Sequence, residues 1–126
     1  MRRGGAATEL ALVLPVLLAL LGGVVEWGWF VVQSVAVTGA ARDGALAGTL
    51  VEADAGPGTV AEARARASLT ASGLDGAAAT VLATLSSTAG GTVVQLDCEV
   101  AHDPLFPLLP LPATHRTRAS FRLVDQ

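Results

Sequence analysis

The feature that most constrains the fold of this chain is an uncharged, almost wholly apolar run of sixteen residues, Leu10–Val25, close to the N-terminus. As an α-helix the run is roughly 24 Å long. This is slightly shorter than the ~30 Å hydrocarbon core of a bilayer, which a helix of ~20 residues usually crosses. The apolar pattern resumes after Glu26 and continues to Val32. A chain of 126 residues offers too little protein to cover such a helix. We therefore predict a membrane span over about residues 10–32.

The residues that flank the span predict its orientation. Arg2 and Arg3 precede it, so the positive-inside rule places the N-terminus in the cytoplasm and the remainder of the chain on the exported side. Glu26, Trp27 and Trp29 form a predicted interfacial belt at the outer boundary, because indole rings favour that zone and a carboxylate there can reach water.

A cleavable secretory signal is the competing interpretation of the same segment. Such a signal needs small residues soon after its apolar run. Residues 26–30 are bulky, and residues 34–36 are a weak late candidate, so the pattern favours an uncleaved anchor.

Glu9 stands at the edge of the apolar run, where an acid is costly: a carboxylate at the bilayer centre costs about 2.5–3.5 kcal/mol. Thr8 or Glu9 could simply favour the N-terminal end of the helix dipole. A glycine pair, Gly4-Gly5, lies just upstream of Glu9 and follows a short basic leader. This arrangement resembles the processing site of type IV pilin-like proteins.

The resemblance implies that a prepilin peptidase removes a leader of residues 1–4 at the cytoplasmic membrane face. Cleavage of the Gly4–Gly5 bond would make Gly5 residue +1 and Glu9 residue +5, whereas cleavage after Gly5 would place the acid at +4. In that family the glutamate is thought to meet the new α-amine of a neighbouring subunit. A carboxylate and an ammonium tolerate a low dielectric better as a pair than singly.

A longer set of matches extends over about a third of the chain and is similar to the N-terminal region of the TadE-like family, the minor pilins or pseudopilins of the tight-adherence (Flp) pilus. The matching elements are Glu9, residues 12–15 (LVLP), residues 22–25 (GGVV), Glu26 with its following aromatic residue, and residues 40–45 (AARDGA). Leu10 departs from the family, which usually has an aromatic residue there. The resemblance implies a single-pass protein of the bacterial inner membrane whose partners are a prepilin peptidase, other pilins and inner-membrane pilus assembly proteins.

The apolar run leads into a predicted stem, residues 5–52, that stays helical until the breaker at residues 56–58. Pro15 would kink the stem or be tolerated, as proline often is in membrane helices. Gly44 and Gly48 form a G-x-x-x-G step that allows close helix packing, including packing in an assembly, although such a step also arises by chance in alanine-rich sequence.

The rest of the chain, residues 53–126, is predicted to form an exported α+β head. Thr59 and Glu62 have capping-box spacing and predict a helix over Thr59–Ser72 that stops at Gly73. The apolar face of this helix would contain Val60, Ala63, Ala67, Ala71 and Leu74, with Arg64 and Arg66 solvated.

Three strands complete the predicted head, over about residues 79–86, 92–101 and 114–124, although the alanine and leucine content of residues 79–86 fits a helix equally well. In the second strand Val94, Leu96, Cys98 and Val100 alternate with polar residues, and in the third Thr117, Ala119, Phe121 and Leu123 alternate with three arginines. Acids face outward from one strand and arginines from the other, so we predict antiparallel neighbours whose exposed faces attract. The stem or the short helix would cover the inner face.

A proline loop (residues 104–112) joins the last two strands and contains four prolines and four leucines. That proline spacing excludes regular structure. An exposed apolar loop of this length suggests contact with a partner or a membrane, and the alternative is that the loop folds back over its own sheet.

Composition and motifs argue against catalysis and nucleic-acid binding. The net charge of −3 lacks the clustered positive field that phosphate binding needs. The single cysteine, Cys98, is expected to be buried. His102, Asp103 and His115 flank the proline loop and could converge, but no metal-ligand or catalytic motif accompanies them. We predict a structural or assembly protein without a cofactor; a signal-anchored protein whose small extracytoplasmic head binds a partner is the alternative.

Overall fold

The structure, a computed structural model, describes residues 3–52, 54–107 and 109–123 and has the predicted α+β architecture. Two helices are followed by a three-stranded antiparallel sheet in the order β1-β2-β3. The elements are α1 (Arg3–Thr49), α2 (Pro57–Ala71), β1 (Thr80–Thr88), β2 (Gly91–Ala101) and β3 (Thr114–Arg122). Helix α1 is long and apolar enough to span a membrane; its most apolar segment has a mean hydropathy of 2.2 and is uncovered by the rest of the molecule.

Helix α1 runs without interruption through Pro15 and divides into two parts by burial. From Leu10 to Val25 its surface is open, apart from the half-buried Gly22 and Gly23. From Glu26 onward one stripe of the helix is buried against the head. The buried residues of this stripe are Glu26, Gln33, Val37, Ala40, Ala41, Gly44, Ala45, Gly48 and Thr49. The second half of α1 is thus part of the core of the head, and the first half is not.

The core lies between α1, α2 and the inner face of the sheet, as expected from the alternation in β2. Val94, Leu96, Cys98 and Val100 are all buried there. On β3, Ala119 is buried and Leu123 is buried just beyond the strand end, but Phe121, which was predicted on the same face, is 38% exposed. The buried position at the other end of β3 is held by His115.

The register of β2 and β3 confirms the prediction that their exposed charges attract. Asp97 lies opposite Arg118 and Glu99 opposite Arg116. Each pair forms an ion pair, with N–O distances of 2.6 Å for Asp97–Arg118 and 2.8 Å for Glu99–Arg116. The Arg118 guanidinium holds the pKa of the Asp97 carboxyl below its usual value.

The predicted capping box of α2 is wrong. The helix begins at Pro57, whose fixed φ suits the first helical turn, after Gly56 in a left-handed conformation (φ 75°). The Thr59 hydroxyl donates to the carbonyl of Gly56 (2.7 Å) instead of accepting from an amide. The Glu62 carboxylate accepts from the N–H of Ala83 (2.9 Å) and so ties α2 to β1.

The predicted apolar face of α2 is also wrong. Its buried residues are Pro57, Ala61, Ala65 and Leu69, whereas Ala63, Ala67 and Ala71 are exposed. Alanine occurs on every side of this helix, so hydrophobicity alone does not select a face. The large side chain of Leu69, which is fully buried, decides the orientation.

The C-terminal end of α2 follows the prediction. Gly73 has φ 80°, and the N–H of Leu74 donates to the carbonyl of Leu69 while that of Gly73 donates to Thr70. This pattern is the Schellman motif, which requires a left-handed residue that glycine adopts without strain.

Arg66 is not solvated as predicted. Its Nη1 donates to the carbonyls of Gly76 (3.0 Å) and Ala79 (2.7 Å), with a longer contact to Ala77. The guanidinium thereby holds the connection between α2 and β1 against the helix.

Candidate functional site

The predicted processing segment lies in the first turns of α1. Gly4 and Gly5 are both helical, and a Cβ placed on Gly5 would meet nothing within 4 Å. Glu9 and Leu10 are exposed. Met1 and Arg2 of the leader lie outside the described residues. Cleavage at Gly4–Gly5 and pairing of Glu9 with an amine stay predictions.

The head covers Glu26, so its carboxylate does not reach water as predicted. It is 1% exposed, and its Oε2 accepts a hydrogen bond from the N–H of Phe106 in the proline loop (2.6 Å). The proline loop therefore lies against the stem, and not over its own sheet.

His102 and His115, which the sequence placed at the two ends of the proline loop, do converge. Nε2 of His115 lies 3.3 Å from Nδ1 of His102, and both rings point at Gln33, whose Oε1 is 2.6 Å from Nδ1 of His102 and 3.2 Å from Nε2 of His115. The Gln33 amide nitrogen contacts the carbonyl of Asp103 at 3.4 Å. Gln33 thus links α1 to both ends of the loop.

The proton positions in this cluster follow from its donors and acceptors. Because the Gln33 nitrogen faces a carbonyl, its Oε1 is an acceptor, and His102 donates to it from Nδ1. The other ring nitrogen of His102, Nε2, lies 3.6 Å from Oε1 of Glu26, and neither atom has another partner. Two lone pairs would repel at that distance, so the arrangement calls for a proton between them. That proton is carried either by Nε2 of His102 or by Oε1 of Glu26.

His115 stays neutral in this arrangement. Burial, followed by repulsion from His102, lowers the pKa of His115 below the ordinary 6.5. We define the head–stem latch as Glu26, Gln33, His102 and His115.

Aromatic side chains of the predicted interfacial belt flank the latch. Nε1 of Trp29 donates to the carbonyl of Asp103 (2.9 Å). Phe30 packs against both imidazoles, with ring centroids 5.2 Å from His102 and 4.5 Å from His115. Trp27 stacks on Phe30 and is 56% exposed. The belt's position relative to a bilayer stays a prediction.

Gly44 and Gly48 serve packing within the chain. A Cβ on Gly44 would lie 2.6 Å from the carbonyl oxygen of Ala61, and one on Gly48 would lie 2.8 Å from that of Pro57. The glycine step therefore lets α2 approach α1 closely, and this face of the stem is already occupied by the head.

The outer face of the sheet carries a shallow groove of about 500 Å³. It is lined by the ion-paired acids and arginines of β2 and β3 together with Leu82 of β1. Cys98 belongs to the buried side: it is 2% exposed, and burial raises the pKa of its thiol to about 11. Within the described ranges, no group of three or more His, Cys, Asp or Glu side chains is arranged to hold a metal ion.

Sequence reasoning missed the latch because it treated Glu26 as a membrane-boundary residue and gave Gln33 no role. A signal was present: Glu26, Phe30, Gln33 and Val37 repeat at helical spacing on one stripe of α1. A polar residue on a stripe that becomes apolar further along indicates a buried polar contact.

Comparison with known proteins bears on the stem. Residues 4–46 match the family model described as TadE-like protein. The match includes the glycine pair, Glu9, Glu26 and Gly44, and ends near the C-terminal end of α1. No curated protein and no solved structure gives a match. Residues 4–46 are therefore similar to the TadE-like family, the family that the sequence motifs resemble, and the rest of the chain forms a three-stranded α+β head.

Proposed function

We propose that this protein is a TadE-like minor pilin or pseudopilin, a structural or assembly subunit of a tight-adherence type IV pilus. It is anchored in the bacterial inner membrane with its N-terminus in the cytoplasm and its head outside. A prepilin peptidase removes residues 1–4, and the partners are other pilins and the inner-membrane pilus assembly proteins.

One observation carries the proposal: Glu9 is exposed at the N-terminal end of an apolar helix segment that the head leaves open. The family match covers this whole segment. An apolar surface of this length needs either lipid or another apolar helix around it. A subunit that is first anchored and then transferred into a bundle of stems meets both conditions.

Glu9 gives the transfer its specificity. Its carboxylate is costly in an apolar setting when unpaired, and leader removal creates an α-ammonium on Gly5. Pairing of that ammonium with Glu9 of a neighbouring subunit offsets the desolvation of both groups. Unprocessed chains lack the amine at this position and would pack less favourably.

Leader removal is tested by the intact mass of protein isolated from cells with and without the prepilin peptidase. We expect a chain that starts at Gly5 in the first case and at Met1 or Arg2 in the second. Gly4→Leu should retain the leader in both strains, whereas Gly28→Leu, at an exposed stem glycine with open space around it, should be processed normally. A native chain that keeps its leader contradicts the proposal, and a start near residue 37 would indicate ordinary secretion.

The role of Glu9 is tested separately, by immunoblot of sheared pili against the membrane fraction. Glu9→Ala should lower the amount of this protein in the sheared pili, or the amount of pili formed, while the protein stays in the membrane. Glu52→Ala is the matched control, since Glu52 is an exposed acid beyond the end of α1. Unchanged pilus formation by the Glu9→Ala chain would remove the argument for amine pairing.

The groove on the outer face of the sheet favours the second candidate, a signal-anchored protein whose head binds a partner. The Arg116 and Arg118 side chains that line it are 74% and 66% exposed. Under this alternative the leader is retained and the protein stays in the membrane fraction, so the mass measurement distinguishes the two.

A further inference from the structure

The proline loop follows the stem toward its membrane end. Its successive contacts move along α1 from C-terminal to N-terminal positions. In chain order they are Asp103 with Trp29, Phe106 with Glu26 and Leu109 with Gly23, where a Cβ would lie 3.8 Å from the leucine methyl. Six helical residues separate Trp29 from Gly23, so the loop descends roughly 9 Å along the stem.

The outward surface of the loop is apolar. Leu105 and Phe106 are 50% and 51% exposed, and Leu109 is 39% exposed. Residues 104–114 contain no charged side chain. Contiguous exposed apolar side chains of this kind mark a surface that contacts a partner or a membrane.

The backbone of the loop suits a setting that is poor in water. Its four prolines have no N–H, which removes donors that would otherwise need partners. Two of the remaining amides are already bonded: that of Phe106 to Glu26 and that of Leu111 to the carbonyl of Leu109.

The stem is also apolar at this level. Val24, Val25 and Trp27 lie at the same level of α1 as the loop contacts and are exposed by 71%, 50% and 56%. Val24 and Val25 end the open apolar segment, and Trp27 follows it. At this level both the loop and the stem therefore present apolar side chains, with an indole of the kind that favours the membrane boundary.

We propose that the proline loop inserts into the outer lipid leaflet beside the stem, so that the protein enters the membrane at two adjacent places. This inference rests on the proposed membrane anchoring. The inserted loop brings the head onto the lipid surface and encloses Glu26, which accepts a hydrogen bond from the Phe106 amide and faces Nε2 of His102. An acid within the apolar stem is thereby kept from lipid.

The test measures the depth of single labels in vesicles of phosphatidylcholine and phosphatidylglycerol that carry brominated acyl chains. The full-length protein is labelled with an environment-sensitive fluorophore at Leu105→Cys or Leu109→Cys. Leu17→Cys reports the anchor itself, and Ser87→Cys, in an exposed part of β1, is the matched site away from the membrane. The native Cys98 remains in place because it is buried and its pKa is raised.

We expect the labels at positions 105 and 109 to lose emission to the brominated lipid, as the label at 17 does, while the label at 87 keeps its emission. Quenching at 17 without quenching at 105 and 109 overturns the inference and leaves the anchor intact. Labels at 105 and 109 that are shielded from an aqueous quencher but untouched by brominated lipid would show a protein occupant, such as a second copy, and also overturn it. Loss of quenching at 17 itself would refute the anchoring and the inference together.

Discussion

The carboxylate of Glu26 lies 3.6 Å from Nε2 of His102, and the two side chains, 76 residues apart in sequence, are almost completely buried. This contact joins the point where the stem leaves its open apolar segment to the first residue after β2. The junction of head and stem thus contains a buried polar contact as well as apolar packing.

Removing the Glu26 carboxyl group should loosen the junction. Glu26→Ala takes the acceptor from the Phe106 N–H and removes the group that faces Nε2 of His102; a buried polar group left without a partner costs about 1–3 kcal/mol of unfolding free energy. Glu26→Gln keeps an oxygen for Phe106 and should cost less. The measurement is hydrogen exchange at the Phe106 amide together with chemical unfolding in detergent micelles.

The control for this prediction is Glu52→Gln, at an exposed acid outside α1, which should stay within about 0.5 kcal/mol of the native chain. If Glu26→Ala and Glu52→Gln exchange the Phe106 amide at the same rate, the latch does not hold the loop.

Acid should destabilise the head through His115. Its pKa is lowered in the folded chain by burial and by His102, so the unfolded chain binds more protons near and below the ordinary pKa of 6.5. This contribution to stability is complete above that value and declines as the pH falls below it. The thermal unfolding midpoint measured between pH 8 and pH 5 should therefore fall on the acid side.

His115→Gln should flatten that decline, because the substituted side chain cannot take up a proton. The lowered pKa of Asp97, from an ordinary 3.8, acts only at still lower pH and does not enter this range. Equal slopes for the native and His115→Gln chains would contradict the assignment.

Gly44→Ala should separate α1 from α2. The new methyl would lie 2.6 Å from the Ala61 carbonyl oxygen and 2.8 Å from Cβ of Ala65, both of which belong to a neighbouring helix that cannot rotate aside. Overpacking of this kind costs about 1–3 kcal/mol. Thermal unfolding followed by circular dichroism would measure the loss.

Gly39→Ala is the matched control, since a Cβ there meets nothing within 4 Å. Replacing glycine in an open helical position should raise stability by about 0.5–1 kcal/mol. A destabilisation as large as that of Gly44→Ala would mean that helix packing is not the cause.

The thiol of Cys98 should resist alkylation in the folded protein. It is 2% exposed, and burial with the adjacent Asp97 charge raises its pKa to about 11, so little thiolate exists at pH 8. Mass spectrometry after iodoacetamide treatment should show modification only in denaturant, whereas a chain with Ser87→Cys should gain one adduct while folded. Rapid alkylation of Cys98 in the native chain would contradict its placement in the core.

The features that the sequence predicted well are those with strong local signals. The alternation of β2 and β3 identified their buried faces, and the opposed signs of Asp97 and Arg118 identified the pairing. Gly73 marked the end of α2 because few other residues adopt its left-handed conformation.

The features that the sequence did not predict depend on contacts between elements that are far apart in the sequence. The buried face of α2 is set by Leu69 together with the close fit of Ala61 and Ala65 against Gly44, and the alanines leave no periodic signal. Glu62 lies at capping spacing but reaches the edge of β1, a contact that requires the sheet to be in place. The approach of His102 to Glu26 needs the proline loop to lie on the stem, which nothing in its own composition specifies.

The uninterrupted course of α1 from Arg3 to Thr49 has a mechanical consequence. The same continuous helix forms the open apolar segment and part of the core of the head, so the two are not joined by a flexible connection. A change in the tilt of the open apolar segment is therefore carried directly to the head, which turns with it as one body.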